Sequence, residues 1–284
     1  MEIYNELKDI YIKCIQILFK RNQILKNLII VTGGAGFIGS NLIKYLVKKT
    51  TLKIISIDNY STGSKKNHIN HINVKYIKGE NINISKILNP YKRKIKAIFH
   101  FGEFSRIYQS FLMTKTCINN NIYNSFEVIS FAKDNKIKII YSATSSNLGN
   151  KGKDENLSPY AWTKSKNIEL IKNYSKWFGL KYELVFFYNV YGPDQITLGP
   201  MAAVIGIFET QFKKKKLLTV VKPGTQKRDF THIDDIVQGI VLTLDKPAQP
   251  NLDWDSNNPD PATSSSPYRI YNIGNNNPVN LMEY

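Results

Sequence analysis

The stretch IIVTGGAGFIGSNL, residues 29–42, decides the fold. Its opening, with Asn27 and Leu28 before it, is an apolar run of the kind that forms a buried strand. Its close continues as GFIGSNLIKYLVKK, apolar at helical spacing. Between them stand Gly33, Gly36 and Gly39. A strand that turns through such glycines into a helix exposes the helix's first N–H groups, a seat for a pyrophosphate. A tight turn with close helix packing would also explain the glycines. The next strand, LKIISID, ends on Asp58, where a carboxylate reaches a ribose hydroxyl in dinucleotide-binding folds. That charge would repel a 2′-phosphate and so favours NAD. Taken alone, Asp58 also suits a turn or an N-cap.

Outward from this stretch, the alternation of strand and helix continues. NVKYIKG, KAIFHF, KIKIIYSA and YELVFFYNV are short apolar runs, with helical segments between several of them, notably 110–134 and 160–178. That pattern predicts an α/β chain with a doubly wound parallel sheet (Rossmann). The expected division is a dinucleotide-binding domain over 27–190, rejoined by a helix near 232–245. A smaller, split substrate domain takes 191–231 and 246–284. Residues 1–26 form an N-terminal extension, read as an added amphipathic helix, a mis-set start or a membrane-surface helix. It lacks the charge pattern and cleavage site of a signal peptide.

The 284 residues carry a net charge of +17, from 39 Lys+Arg against 22 Asp+Glu. The lysines are dispersed apart from Lys213–Lys216, and no nucleic-acid-binding motif accompanies them, so an anionic small ligand is the expected partner. No apolar run reaches the length of a membrane span. Cys14 and Cys117 form no CxxC pair and the four histidines are scattered, which predicts no metal site and a reducing, cytoplasmic setting.

SPYAWTKSK places Tyr160 and Lys164 four apart, on one helix face. A neighbouring ammonium stabilises a phenolate and makes tyrosine usable as a base near neutral pH. The same spacing is common on solvated helices. Upstream, YSATSSNLG ends a strand and supplies Thr144, whose hydroxyl could bond a reacting oxygen.

Glycine loop, strand-end hydroxyl and YxxxK occur in this order together with DNYSTG, IFHFGE, FYNVYGP, RDFTHIDDIV and YNIGN. On those pieces the chain resembles the NAD-dependent sugar epimerase/dehydratase family of extended short-chain dehydrogenases/reductases, and among them UDP-sugar 4-epimerases. The resemblance implies NAD along Gly33, Gly36, Phe37 and Ile38, with its adenosine ribose at Asp58, Asn59, Ser61 and Gly63. The run Gly79-Glu80-Asn81 stands where the family has Gly-Asp before the adenine pocket, which makes Glu80 and Asn81 candidates there. Phe101, Gly102 and Ser105 follow the fourth strand beside the cofactor, and Asn121 and Tyr188 match cofactor-side positions. Thr144, Tyr160 and Lys164 would be catalytic. Asn189 and Arg228 would meet the UDP-sugar. Glu103 and Arg106 interrupt the family's run of alanines, and either could touch the sugar. Ser145 and Ser146 replace the acid pair of a 4,6-dehydratase, and no decarboxylase-type glutamate stands nearby. An epimerase acting through a 4-keto sugar is therefore expected, as a homodimer packed through 110–134 and 160–178. The family's chain continues past YNIGN to another phosphate-binding arginine and part of a lid. This one ends at Tyr284, which leaves open a chain that binds NAD with little or no turnover.

Overall fold

The computed structural model describes residues 26–145, 156–220, 224–246 and 248–284. The extension at 1–25 and Ser146 lie outside the described residues. The elements run β1 (Leu28–Thr32), α1 (Phe37–Lys49), β2 (Lys53–Asp58), β3 (Val74–Lys78), α2 (Ile84–Leu88) and β4 (Ile95–His100). Three pieces follow, α3 (Ile107–Leu112), α4 (Thr114–Ile118) and α5 (Asn124–Asp134), the last two joined by a π-helical turn over Asn119–Tyr123. Then come β5 (Lys138–Thr144), α6 (Pro159–Phe178), β6 (Tyr182–Phe187), β7 (Val190–Tyr191), α7 (Val204–Lys213), β8 (Lys227–Arg228) and β9 (Thr231–His232). The chain closes with α8 (Ile233–Asp245), β10 (Tyr268–Ile273) and β11 (Val279–Asn280).

Seven strands form one parallel sheet in the order β10-β6-β5-β4-β1-β2-β3. Strand residues alternate between faces, and β1 shows the consequence. Ile30 packs into a core under α2, α5 and α6 with Ile57, Ile98, Ile139 and Ile171. Ile29 and Val31 pack the other way, with Leu42 and Leu46 of α1 and Ile236 and Ile240 of α8. Both faces are covered, which is why the central strands read as unbroken apolar runs.

One boundary needs correction. The smaller unit was expected to include 246–284, but β10 within it pairs along its whole length with β6 as the edge of the main sheet. Strict alternation in YRIYNI is masked by two tyrosines, and the irregular 250–267 before it gives no sign of a return to the sheet. Outside the sheet lie α7, the β7–β9 pair and the antiparallel β8–β11 pair.

The strand order reverses between β1 and β4. In an open α/β sheet the loops at that switch point spread apart at the carboxyl ends of the strands and leave a crevice. The loops after β1, β4 and β5 meet there.

Candidate active site

The glycine loop is held by contacts that only glycine permits. Gly33 has φ +71°, and its N–H donates to the Ile57 carbonyl at 2.8 Å. A Cβ on it would stand 2.8 Å from Gly102 Cα, because the loops after β1 and β4 cross at this point. A Cβ on Gly39 would lie 2.3 Å from the Gly33 carbonyl oxygen, so α1 rests directly on the loop. The helix begins after Gly36, whose N-cap position supplies no side-chain bond, and its first turn carries no acid. Phe37 and Ile38 therefore present N–H donors and the positive end of the helix dipole to the cavity.

Asp58 ends β2 under this loop. One carboxylate oxygen accepts from Ala35 N at 2.9 Å and the other from Tyr60 N at 2.8 Å. Each oxygen keeps a lone pair. Asn59 accepts from Ser61 N at 2.9 Å and donates to the Glu80 carboxylate at 3.1 and 3.2 Å. Asn81 donates to the Gly102 carbonyl at 2.9 Å, which leaves its own carbonyl as an acceptor. Gly63 packs against Ala35 and Asp58 from behind.

Gly33, Gly36, Phe37, Ile38, Asp58, Asn59, Ser61, Glu80 and Asn81 line one side of a cavity of about 570 Å³. Thr144, Ser145, Tyr160, Lys164, Asn189 and Arg106 line the other. Thr144 stands at the end of β5. Tyr160 sits in the first turn of α6, which Ser158 caps by accepting from Ala161 N at 3.0 Å and which Pro159 starts. Tyr160 N donates to Ser110 Oγ at 3.2 Å, tying α6 to α3.

Beneath the cavity lies a network that the sequence reading missed. Glu103 was expected to face a sugar. It lines the cavity, but its side chain is only 2% exposed and is committed to other side chains. Oε1 accepts from Ser125 Oγ at 2.7 Å, Tyr141 OH at 2.9 Å and Asn167 Nδ2 at 3.0 Å. Oε2 pairs with the Lys164 ammonium. The same ammonium donates to the Ser142 carbonyl and lies 3.4 Å from Ser142 Oγ. Burial alone would raise the Glu103 carboxyl, but Lys164 and His100, with the Lys164 and Ser125 hydrogen bonds, hold it below its ordinary range. His100 joins from β4. Its Nε2 lies 2.9 Å from Ser125 Oγ and its Nδ1 2.7 Å from Thr32 Oγ1. Burial pushes this imidazole down to about 4.

Three further positions differ from expectation. Asn121 is fully buried behind the cavity, where it clasps Phe104 N and O at 2.7 and 3.1 Å and Thr163 Oγ1 at 3.0 Å. Its role is to shape the loop after β4, and Asn120 and Asn124 reach the cavity instead. Tyr188 points its hydroxyl to Asn272 at 3.0 Å, and Phe187 lines the cavity in its place. Arg228 is exposed on β8, donates to the Lys227 carbonyl and is not among the lining residues. A one-residue shift along a strand reverses the face a side chain takes, which is how Phe187 and Tyr188 exchange roles.

A glycine loop packed directly on neighbouring backbone, an uncapped helix start and an acid with spare lone pairs supply the N–H donors and the acceptor that a dinucleotide diphosphate and ribose need. NAD fits the residues present. Among the described residues, no group of three or more His, Cys, Asp or Glu offers a metal site, and no helix is long and apolar enough to cross a membrane.

Comparison with known proteins supplies the family. The sequence model of the NAD dependent epimerase/dehydratase family matches residues 29–274. Protein CapI of Staphylococcus aureus is 33% identical over 277 residues, covering 90% of this chain and 80% of that one. ADP-L-glycero-D-manno-heptose-6-epimerase of Brachyspira hyodysenteriae is 33% identical over 229 residues, covering 74% and 70%. Among solved structures, UDP-N-acetylglucosamine 4-epimerase from Methanobrevibacter ruminantium, in complex with UDP-N-acetylmuramic acid, superposes with a TM-score of 0.75. It is 26% identical and is covered over 80% of its length by 91% of this chain. This chain belongs to the NAD dependent epimerase/dehydratase family, whose members here include epimerases, decarboxylases and dehydratases named for nucleotide sugars. Its cofactor is NAD.

Proposed function

We propose that this chain epimerises a UDP-sugar at C4 through a transient 4-keto sugar. The observation that carries the reading is that an uncapped glycine loop, Thr144 and Tyr160 open on the same cavity. NAD, when bound, supplies reversible hydride acceptance at one sugar carbon. The chain's residues do the rest. The Tyr160 oxygen takes the proton from the 4-hydroxyl and later returns it. The Thr144 hydroxyl holds that same oxygen in line. The glycine loop and the first turn of α1 fix the diphosphate of the cofactor. Ser145, at the cavity wall, is no acid, so water loss across C5 and C6 lacks a proton donor there.

Gln195, Ile196, Met201 and Ala203 close the cavity on the far side, which supports reading the segments outside the sheet as the sugar-binding unit. Exposed Tyr108, Phe111, Leu112, Phe126 and Trp162 on α3, α5 and α6 support a homodimer through these helices. The low cysteine content supports a cytoplasmic setting.

The test is incubation of the purified chain with UDP-glucose, UDP-N-acetylglucosamine and UDP-glucuronate, with products resolved by NMR. A C4 epimer of at least one is expected, with Tyr160→Phe slower by about 100-fold or more. Loss of carbon dioxide or of water instead of epimerisation would assign the chain to a decarboxylase or dehydratase. Wild-type turnover in Tyr160→Phe would remove the base assignment.

A further inference from the structure

The seven parallel strands all start at the end of the sheet opposite the cavity, and the helices that return to them finish there. Across β4, β1 and β2 that end is cationic. Lys48 and Lys49 close α1, Lys53 opens β2, and Lys92, Arg93 and Lys94 lead into β4. All six are exposed. The strand register brings them together. Leu28 of β1 pairs with Lys53 on one side and with Ile95, next to Lys94, on the other. Adjacent strands stand about 4.8 Å apart, so the backbone at Lys53 and at Lys94 is separated by about 10 Å. The dipole of α1 favours Lys48 and Lys49 at its carboxyl end. It gives no account of Lys53 or of the run before β4.

Among the described residues, none of the six cations forms an ion pair. From Lys26 to Gly102 the acids are Asp58 and Glu80, and both stand at the cavity end, where β2 and β3 finish. The acids at the strand-start end belong to the other side of the sheet. Asp134 ends α5 ahead of β5, and Asp245 ends α8, whose Thr243 carbonyl bonds Lys138 of β5. Asp253, Asp255 and Asp260 precede β10. An aliphatic side chain projects from the cationic side. Ile72 is 98% exposed, in the turn before β3. The carbonyl of its neighbour Asn73 accepts from Ile54 N at 2.7 Å, one residue on from Lys53. Nucleic acid would satisfy the lysines and give the isoleucine nothing. A lipid surface satisfies both, with phosphates for the cations and an acyl layer below for the apolar tip.

We propose that this end of the domain docks on an anionic lipid surface, with the six cations at the headgroup phosphates and Ile72 dipping between them. The cavity opens at the opposite end, so the docked protein keeps its site in water. The inference is independent of the chemistry carried out in the cavity.

The experiment measures co-sedimentation of the full chain with two kinds of vesicle at about 0.1 M salt. One is phosphatidylcholine alone, and the other contains about 30% phosphatidylglycerol. Binding to the anionic vesicles should be tighter by about tenfold or more, and should be lost at about 0.5 M salt. Lys92→Gln, Arg93→Gln and Lys94→Gln together are expected to weaken it about 100-fold, at about fivefold for each charge near the surface. Ile72→Ser is expected to weaken it about fivefold. Lys214→Gln, Lys215→Gln and Lys216→Gln, in the segment after α7, remove the same net charge and should weaken it by less than about threefold. Melting curves confirm that each variant is folded. The proposal is overturned by equal binding to the two kinds of vesicle or by full binding in Ile72→Ser. It is also overturned by equal losses in the two triple variants, which would make net charge the cause. The last arm is a gel shift with single-stranded RNA. RNA bound more tightly than the anionic vesicles, and released by the substitutions at 92–94, would assign the surface to nucleic acid instead.

Discussion

Acidification should destabilise this protein through one histidine. His100 lies at the end of β4 with its side chain fully buried. The hydrogen bonds around it have one consistent direction. Phe101 N and Gly102 N both donate to Thr32 Oγ1, at 3.2 and 3.1 Å. Thr32 must then give its own proton to His100 Nδ1 at 2.7 Å. Ser125 gives its proton to Glu103, so His100 Nε2–H donates to Ser125 Oγ. The imidazole is held as the neutral Nε2–H tautomer. A second proton on Nδ1 would face an oxygen whose acceptor sites are already filled.

Burial, helped by Lys164 and opposed by Glu103, pushes the His100 imidazole from 6.5 to about 4. A depressed value means that the unfolded chain takes up the proton first. The stability is therefore present above pH 6.5 and is lost as pH falls towards 4. At 1.36 kcal/mol per unit, the whole shift amounts to about 3 kcal/mol. Roughly 2 kcal/mol of it is lost between pH 7 and pH 5. Glu103 is also held below its ordinary range, so its own contribution falls away only at lower pH. The assay is urea unfolding at pH 7, 6 and 5 for the wild type and His100→Gln, whose amide retains the donor towards Ser125. The variant is expected to be less stable at pH 7 but to lose about 2 kcal/mol less on going to pH 5. Parallel declines in the two proteins would refute the argument, because the acid sensitivity would then lie elsewhere.

Other consequences follow from particular contacts. Gly33→Ala forces a side chain into positive φ and against Gly102, so NAD binding measured by calorimetry should weaken at least tenfold and the melting temperature should fall. Lys138 on β5 pairs with buried Glu183 on β6 at 2.9 Å and also bonds the Thr243 carbonyl of α8. Lys138→Met leaves that carboxylate unpaired and should cost about 3 kcal/mol in urea unfolding near pH 7. Burial already raises Glu183, and the variant would raise it further. The stability deficit should therefore shrink as pH falls and grow as it rises.

The doubly wound sheet was legible in the sequence because its signal is redundant. Each of β1, β2, β4, β5 and β6 is a separate apolar run, and each of α1, α6 and α8 repeats at helical period. The glycine loop was legible because backbone geometry there excludes every other residue. Asn121 and Tyr188 were misplaced for a different reason. Both sit next to cavity residues, Asn120 and Phe187, and a pattern of residue types cannot tell which of two neighbours points inward. The π-helical turn over Asn119–Tyr123 adds a residue to one helical turn and shifts that register without any sequence mark. Arg228 was read from its motif, and only the pairing of β8 with β11 shows where that motif stands.

Glu103 was visible as an oddity, and its meaning depended on partners up to 64 positions away. A carboxylate in place of a small apolar residue must find donors or stay protonated. Here Ser125, Tyr141, Asn167 and Lys164 supply them from two helices and a strand. The substitution therefore does more than add a polar group to the pocket floor. It pairs with the lysine that the YxxxK spacing sets beside Tyr160, and it fixes through Ser125 the direction of the chain that keeps His100 neutral. A single acidic residue thus links the acid sensitivity of the fold to the lysine on the cavity wall.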